Sequence, residues 1–164
     1  MLNTVVTGTP SARPPLLIAH GLFGSARNWG VIARRLSEDR QVLTVDMRNH
    51  GTSPWTETHS YGDLAEDLAG VIAAHGGQAD VLGHSMGGKA AMRLALDHGA
   101  MVCRLVVADI APVAYGHSQA HLIHAMRGLD LALRVENLLD ADYQEVPGYG
   151  TAERAFYLGL SHRF

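Results

Sequence analysis

A single cysteine, Cys103, is the whole thiol inventory of this 164-residue sequence. It excludes an internal disulfide and a cysteine-cluster metal site. Positive charge is also scarce: 13 Lys and Arg face 16 Asp and Glu, for a net charge of −3. No basic excess is present to neutralise a phosphate backbone, so nucleic acid is not an expected partner. No apolar run approaches the ~18 residues of a membrane-spanning helix. Residues 1–9 carry neither the basic nor the apolar region of a signal peptide, and the expected compartment is cytoplasmic. What remains is 47% hydrophobic and 18% charged. That is the composition of a globular chain with a real core, long enough for one domain and short for two.

Four short apolar runs, 16–19, 42–45, 80–82 and 105–108, are rich in Val, Ile and Leu. None alternates polar with apolar, which suits strands buried on both faces of a parallel sheet. Helical patterns lie between them. Residues 28–36 carry Trp29, Ile32 and Leu36. Residues 60–75 carry Leu64, Leu68, Val71 and Ile72 on one stripe, with Ser60 and Asp63 as a capping box and Gly76-Gly77 as the stop. Residues 86–98 carry Ala90, Ala91, Leu94 and Ala95, ended by Gly99. This alternation predicts βαβ units and an α/β fold, a mostly parallel sheet flanked by helices. Residues 2–7 read as a leading strand or hairpin. A fourth helix is expected after Ser118, on Leu122, Met126, Leu129 and Leu133. The composition then shifts: residues 134–164 hold half of the ten aromatics and one of the ten histidines. The expected division is 1–133 and 134–164.

Gly83-His84-Ser85-Met86-Gly87 is G-x-S-x-G, placed after an apolar run and before a helix. That is the setting of a nucleophile elbow, in which a serine sits on a tight strand-to-helix turn. The glycines let two backbones pass closely. The helix start puts the Met86 N–H where a developing oxyanion would sit. Gly83 to Lys89 also fits the G-x-x-x-x-G-K of a phosphate-binding loop, but Ala90 stands where that loop needs Ser or Thr. His20-Gly21-Leu22 closes the first apolar run; on a neighbouring strand it would bring the Leu22 N–H beside Ser85. His20 reads as a loop brace, with a general base as the alternative. His117, His121 and His124 share one helical face, a spacing open to zinc, to a substitute base or to a plain helix surface.

Residues 16–30 (LLIAHGLFGSARNWG), 46–54 (DMRNHGTSP), 82–89 (LGHSMGGK) and 105–115 (LVVADIAPVAY) resemble the α/β-hydrolase family, in particular a bacterial esterase subgroup with mitochondrial relatives. The resemblance covers residues 2–133 in order. It implies the N-terminal part of an α/β-hydrolase fold, truncated before the last strands, with Ser85 as nucleophile and the N–H groups of Leu22 and Met86 as oxyanion hole. Asp109 matches the triad acid; its alternative is a loop-capping carboxylate. Residues 46–51 match a structural turn, with Arg48 and His50 as bracing. In that turn-over scheme the substrate is a small-molecule carboxylic ester, with no metal or organic cofactor. The family's general-base histidine follows the last strand, and none of the ten histidines here falls in a matching segment. Impaired hydrolysis is therefore expected, with a non-catalytic hydrolase fragment as the alternative.

Residues 135–164 resemble the C-terminal segment of TonB-dependent outer-membrane receptors. Phe156, Leu158, Leu160, His162 and Phe164 alternate with Tyr157, Gly159, Ser161 and Arg163, a period of two. One strand alone cannot span a bilayer, so the implied reading is a chimeric chain and not a membrane protein. Strand 105–108 is expected at an open sheet edge, where Leu105, Val106 and Val107 invite self-association.

Overall fold

The computed structural model describes residues 1–113 and the backbone of two further strands, Leu129–Glu136 and Ala155–His162. The chain divides into two compact units, Met1–Val113 and Ala114–Phe164.

In the first unit, β1 (Thr4–Thr7), β2 (Leu16–Ala19), β3 (Val42–Val45), β4 (Ala79–His84) and β5 (Val102–Ala108) form one sheet in the order β1-β3-β2-β4-β5. β1 runs antiparallel to β3, and all other pairs are parallel. Every residue of β2 and β3 is buried, as the unbroken apolar runs require. Alternate side chains feed two cores. Leu17, Ala19, Leu43 and Val45 join the large cluster with Leu64, Leu68 and Ile72 of α2 (Tyr61–Ala74) and Ala91 and Leu94 of α3 (Met86–Asp97). Leu16, Ile18 and Val42 pack with Trp29 and with Ala33 of α1 (Gly30–Leu36) on the opposite face. The result is a sheet between two helical layers.

Helix α2 begins where its cap dictates: the Ser60 N–H donates to Asp63 Oδ2 at 2.9 Å and the Asp63 N–H donates to Ser60 Oγ at 3.1 Å. Its end is closed by Gly77, whose N–H donates to the Ile72 carbonyl at 2.9 Å from a φ of 81°, a left-handed conformation that glycine adopts freely. Strand β4 runs past its apolar core, because the parallel ladder continues through Gly83 and His84 opposite Val107 and Ala108, while β5 starts earlier than its apolar run, at Val102. β5 is the outer strand of this sheet, with Leu105 and Val106 exposed, in line with the expected edge.

At the N-terminal end of the strands, Asp80 is buried between two arginines. Arg40 donates to its Oδ2 at 2.6 Å and Arg104 Nε to its Oδ1 at 3.0 Å. Arg40 also reaches the Pro14 carbonyl. Burial works against the Asp80 carboxylate, but hydrogen bonds from Arg104 and Arg40 outweigh it and hold its pKa below the usual carboxylate range.

The helix expected on Leu122, Met126, Leu129 and Leu133 is corrected over its second half. Residues 114–128 lie outside the described residues, but β6 (Leu129–Glu136) is a strand, paired antiparallel with β7 (Ala155–His162) from Leu129↔His162 to Glu136↔Ala155. Leu129 and Leu133 fit a period of 3.6 and a period of 2 alike. Leu131 and Val135, alternating with Asp130, Arg134 and Glu136, decide for the strand. β6 runs through the expected junction at 133/134.

Replacing Asp80 by Ala leaves Arg40 buried without its counter-ion. The expected loss of stability is about 3–5 kcal/mol, the usual consequence of breaking a buried pair, read as a fall in the urea midpoint. An unchanged midpoint would show that the pair carries no stability.

Candidate active site

Ser85 occupies the single residue between β4 and α3, at φ 50° and ψ −113°. A non-glycine residue there is strained and needs its surroundings to hold it. Two backbone bonds do so: the Ser85 N–H donates to the Ala108 carbonyl at 2.9 Å, and the Lys89 N–H donates to the Ser85 carbonyl at 3.1 Å. The neighbouring glycines are required by space. A Cβ on Gly83 would fall 2.6 Å from the Gly88 Cα, and one on Gly87 would fall 2.6 Å from the His20 carbonyl oxygen. The close passage they permit seats the start of α3 against the end of β2. The Met86 amide is the first of that helix, one of the donors with no intrahelical acceptor.

The second wall follows from sheet order. Ala19 of β2 is level with Gly83 of β4, so His20-Gly21-Leu22 leaves the sheet beside His84 and Ser85. A Cβ on Gly21 would lie 2.8 Å from His84 Nδ1 and 3.2 Å from Ser85 Cβ. The structure thus brings the turn of Leu22, Ser85 and Met86 together.

His20 is buried, with both nitrogens engaged. Nδ1 donates to the Gly21 carbonyl at 2.7 Å, and Nε2 accepts the Met47 N–H at 2.9 Å. Burial pushes its pKa below that of a free imidazole. It braces the turn and has no nitrogen left for the Ser85 hydroxyl, which removes the base alternative.

Asp46 anchors the same region. Its Oδ1 accepts the Ala26 N–H at 2.7 Å; its Oδ2 accepts Asn3 Nδ2 at 2.9 Å, the Thr52 N–H at 3.0 Å and the Thr52 hydroxyl at 3.1 Å. Burial opposes its ionisation, but the Thr52 and Ala26 amides and the Asn3 and Thr52 side chains outweigh it, and its pKa lies below the usual carboxylate range. Arg48 grips Asp67 through Nε at 2.5 Å and a second nitrogen at 3.0 Å. His50 Nε2 accepts the Phe23 N–H at 3.3 Å. The 46–51 segment therefore braces, as its resemblance implied, and its partners Asn3 and Ala26 were not visible in the motif.

Asp109 follows β5 directly, at φ 58°, with its side chain 84% exposed. It is the residue after the carbonyl that holds Ser85. The side chain beside it is His84, whose Nε2 lies 3.7 Å from Asp109 Oδ2. Sequence reasoning passed over His84 as the free position of G-x-S; its signal was the parallel register that sets it level with Ala108. His84 meets the Trp29 ring edge-on at 6.2 Å between centroids. It also lines a cavity of ≈ 420 Å³ with Leu22, Phe23, Trp29 and Ile32, within the range of small-ligand sites. Lys89 donates to the Val113 carbonyl at 2.8 Å from within α3. His117, His121 and His124 lie outside the described residues; among the described residues no cluster of His, Cys, Asp or Glu could hold a metal ion.

Replacing Asp46 by Asn puts an N–H₂ group among four donors. The expected cost is about 1–3 kcal/mol, that of a buried donor left without an acceptor, seen as a lower denaturation midpoint at pH 7. Because the folded-state pKa of Asp46 is depressed, the wild-type advantage is complete above the carboxylate range and is lost as pH falls through it. The two midpoints should therefore converge in acid; a constant gap would assign the difference to shape alone.

The alpha/beta hydrolase fold family matches residues 14–140. Esterase YbfF of Escherichia coli (strain K12) is 45% identical over 108 residues, covering 65% of this chain and 42% of that protein. The sn-1-specific diacylglycerol lipase ABHD11 of Mus musculus is 43% identical over 127 residues, covering 74% of this chain and 41% of the lipase. A solved marine microorganism esterase superposes with a TM-score of 0.72 at 40% identity, over 79% of this chain and 51% of its own. The chain spans about two fifths of the length of these curated relatives. No helix among the described residues is long and apolar enough to cross a membrane. With a parallel sheet between helical layers, a strained serine at its strand-to-helix turn and this match over most of its length, the chain belongs to the alpha/beta hydrolase fold family.

Proposed function

We propose that this chain is a serine hydrolase of carboxylic esters, working through an acyl-Ser85 intermediate on small-molecule esters. The observation that carries the reading is Ser85 itself, held at φ 50° between the Ala108 carbonyl and the start of α3, with Gly21 packed against it. In this scheme Ser85 Oγ attacks the ester carbonyl carbon, and the carbonyl oxygen becomes an oxyanion facing the Leu22 and Met86 N–H groups. Collapse expels the alcohol, which takes a proton, and leaves the acyl-serine. Water then adds to the acyl carbon and releases the acid and free Ser85. Asp109 is the acid of the triad. A side-chain nucleophile and backbone oxyanion donors carry the bond-making steps, and the scheme calls for no cofactor. Removal of one oxyanion donor in such sites lowers the rate about 10²–10³-fold.

A general base has to take the Ser85 proton, and two of the described histidines near it are committed elsewhere. His20 and His50 each use both nitrogens, and His84 faces Asp109. The reading therefore includes slow turnover by the 164-residue chain alone, with cytoplasm as its compartment. The relatives named esterase and lipase support ester chemistry for the family. For residues 134–164, a strand over Ala155–His162 is what an alternating segment gives in any antiparallel pair, and it brings no membrane function with it.

The test is hydrolysis of p-nitrophenyl acetate together with covalent labelling by a small fluorophosphonate. The expected turnover lies well below the ordinary range of about 1–10³ s⁻¹, while mass spectrometry finds the label on Ser85 and none on Ser85→Ala. Label on another residue would overturn the nucleophile assignment. Ordinary turnover would overturn the impairment, and replacing His84, His117, His121 and His124 in turn would then find the base. The outer strand β5 adds self-association to the reading, because Leu105 and Val106 are exposed along an edge. Sedimentation should show a concentration-dependent dimer that Val106→Lys abolishes; a wild-type monomer at all concentrations would remove that part.

A further inference from the structure

The turn that carries Leu22 is held from outside by one imidazole. The Phe23 N–H donates to His50 Nε2 at 3.3 Å, and His50 Nδ1 lies 2.9 Å from the Arg48 carbonyl oxygen. A carbonyl only accepts, so Nδ1 carries the hydrogen and Nε2 presents the lone pair. Phe23 sits at φ 62°, a left-handed conformation that a bulky residue keeps only when it is held.

The pattern repeats on both sides. His20 Nε2 accepts the Met47 N–H. Asn49 Oδ1 takes the Thr56 N–H at 2.6 Å, which fixes its amide, so Asn49 Nδ2 donates to His59 Nδ1 at 3.3 Å. The rings of His20 and His50 lie 5.1 Å apart, and those of His50 and His59 5.8 Å apart. Each of the three has an N–H aimed at its lone pair, so a proton added there meets another proton. The titratable and charged groups that face His50 are His20, His59 and, on its own turn, Arg48. Asp46, beside His20, uses both carboxylate oxygens on other donors. Asp63, beside His59, serves Ser60 and lies 3.5 Å from Arg48.

We propose that His50 is a positioning residue for the Leu22–Phe23 turn, effective only in its neutral form. Acid that protonates Nε2 releases the Phe23 amide and loosens the turn that presents the Leu22 N–H. The catalytic consequence rests on the esterase reading; the clamp does not.

The experiment uses the whole chain labelled with ¹⁵N. Amide spectra and His50 ring signals are followed as the pH is lowered from about pH 8 until the ring takes up its proton. The Phe23 and Leu22 amide shifts should move with the His50 ring. Exchange protection at Phe23, corrected for the intrinsic pH dependence, should fall about tenfold, the worth of one such hydrogen bond. In His50→Gln, whose carbonyl keeps an acceptor that does not titrate, both should stay flat. A wild-type Phe23 amide indifferent to the His50 titration overturns the clamp, whether or not the variant folds. Fluorophosphonate labelling of Ser85 over the same range gives the functional arm: an acid limb that flattens in His50→Gln supports the proposal, and an identical limb in both proteins overturns its catalytic half. If Phe23 titrates as expected and Ser85 never reacts, the clamp stands and the esterase reading falls.

Discussion

The Asp46 carboxylate is satisfied by hydrogen-bond donors from three separate stretches of chain: Asn3 before β1, Ala26 after the Leu22 turn, and Thr52 in the following loop. A charge taken out of water needs such partners, and supplying them fixes where those stretches lie. The bracing continues outward one residue at a time. Met47 gives its N–H to His20, and the Arg48 carbonyl faces His50, whose other nitrogen takes the Phe23 N–H. The loop after β3 is thus a mould for the loop after β2. The Leu22 turn has its shape because another strand's loop holds it.

Ser85 is set by a different kind of constraint. Ser85 is held in strain of about 1–3 kcal/mol, a typical figure for such a conformation, and local chemistry does not offset it. The offset comes from the sheet: β4 lies between β2 and β5, and the residues on either side of the turn are fixed by that ladder. Gly83 and Gly87 then act by absence, since each leaves room for a neighbouring backbone. Loop bracing by hydrogen bonds and elbow closure by steric fit meet at Gly21, which touches both His84 and Ser85.

What could be read in the sequence follows from these constraints. β2 and β3 match the apolar runs 16–19 and 42–45 because burial on both faces leaves no other composition for them. The start of α2 was legible because Ser60 and Asp63 are a self-contained cap. The end of β4 was not, since a parallel ladder extends through glycine and histidine as readily as through valine. Leu129 and Leu133 satisfy both periods, so the pattern up to residue 133 reads as helix where the chain forms the strand Leu129–Glu136. The elbow was visible as a motif, whereas the pairing of His84 with Asp109 depends on cross-strand register, which a linear pattern does not encode.

Asp109 shows how far geometry alone carries an assignment. Its φ of 58° marks no special role, because aspartate tolerates the left-handed region better than most residues and turns use it there. Its exposure is equally compatible with a loop cap. The distinguishing fact lies one residue earlier: the Ala108 carbonyl accepts the Ser85 N–H. That bond ties the end of β5 to the elbow, so any carboxylate placed immediately after it is held near the serine by the ladder, with no need for a contact of its own. His84, reaching Asp109 from the other side at 3.7 Å, occupies the flank of that carboxylate. The acid role proposed for Asp109 thus rests on strand register, which ties the end of β5 to the elbow.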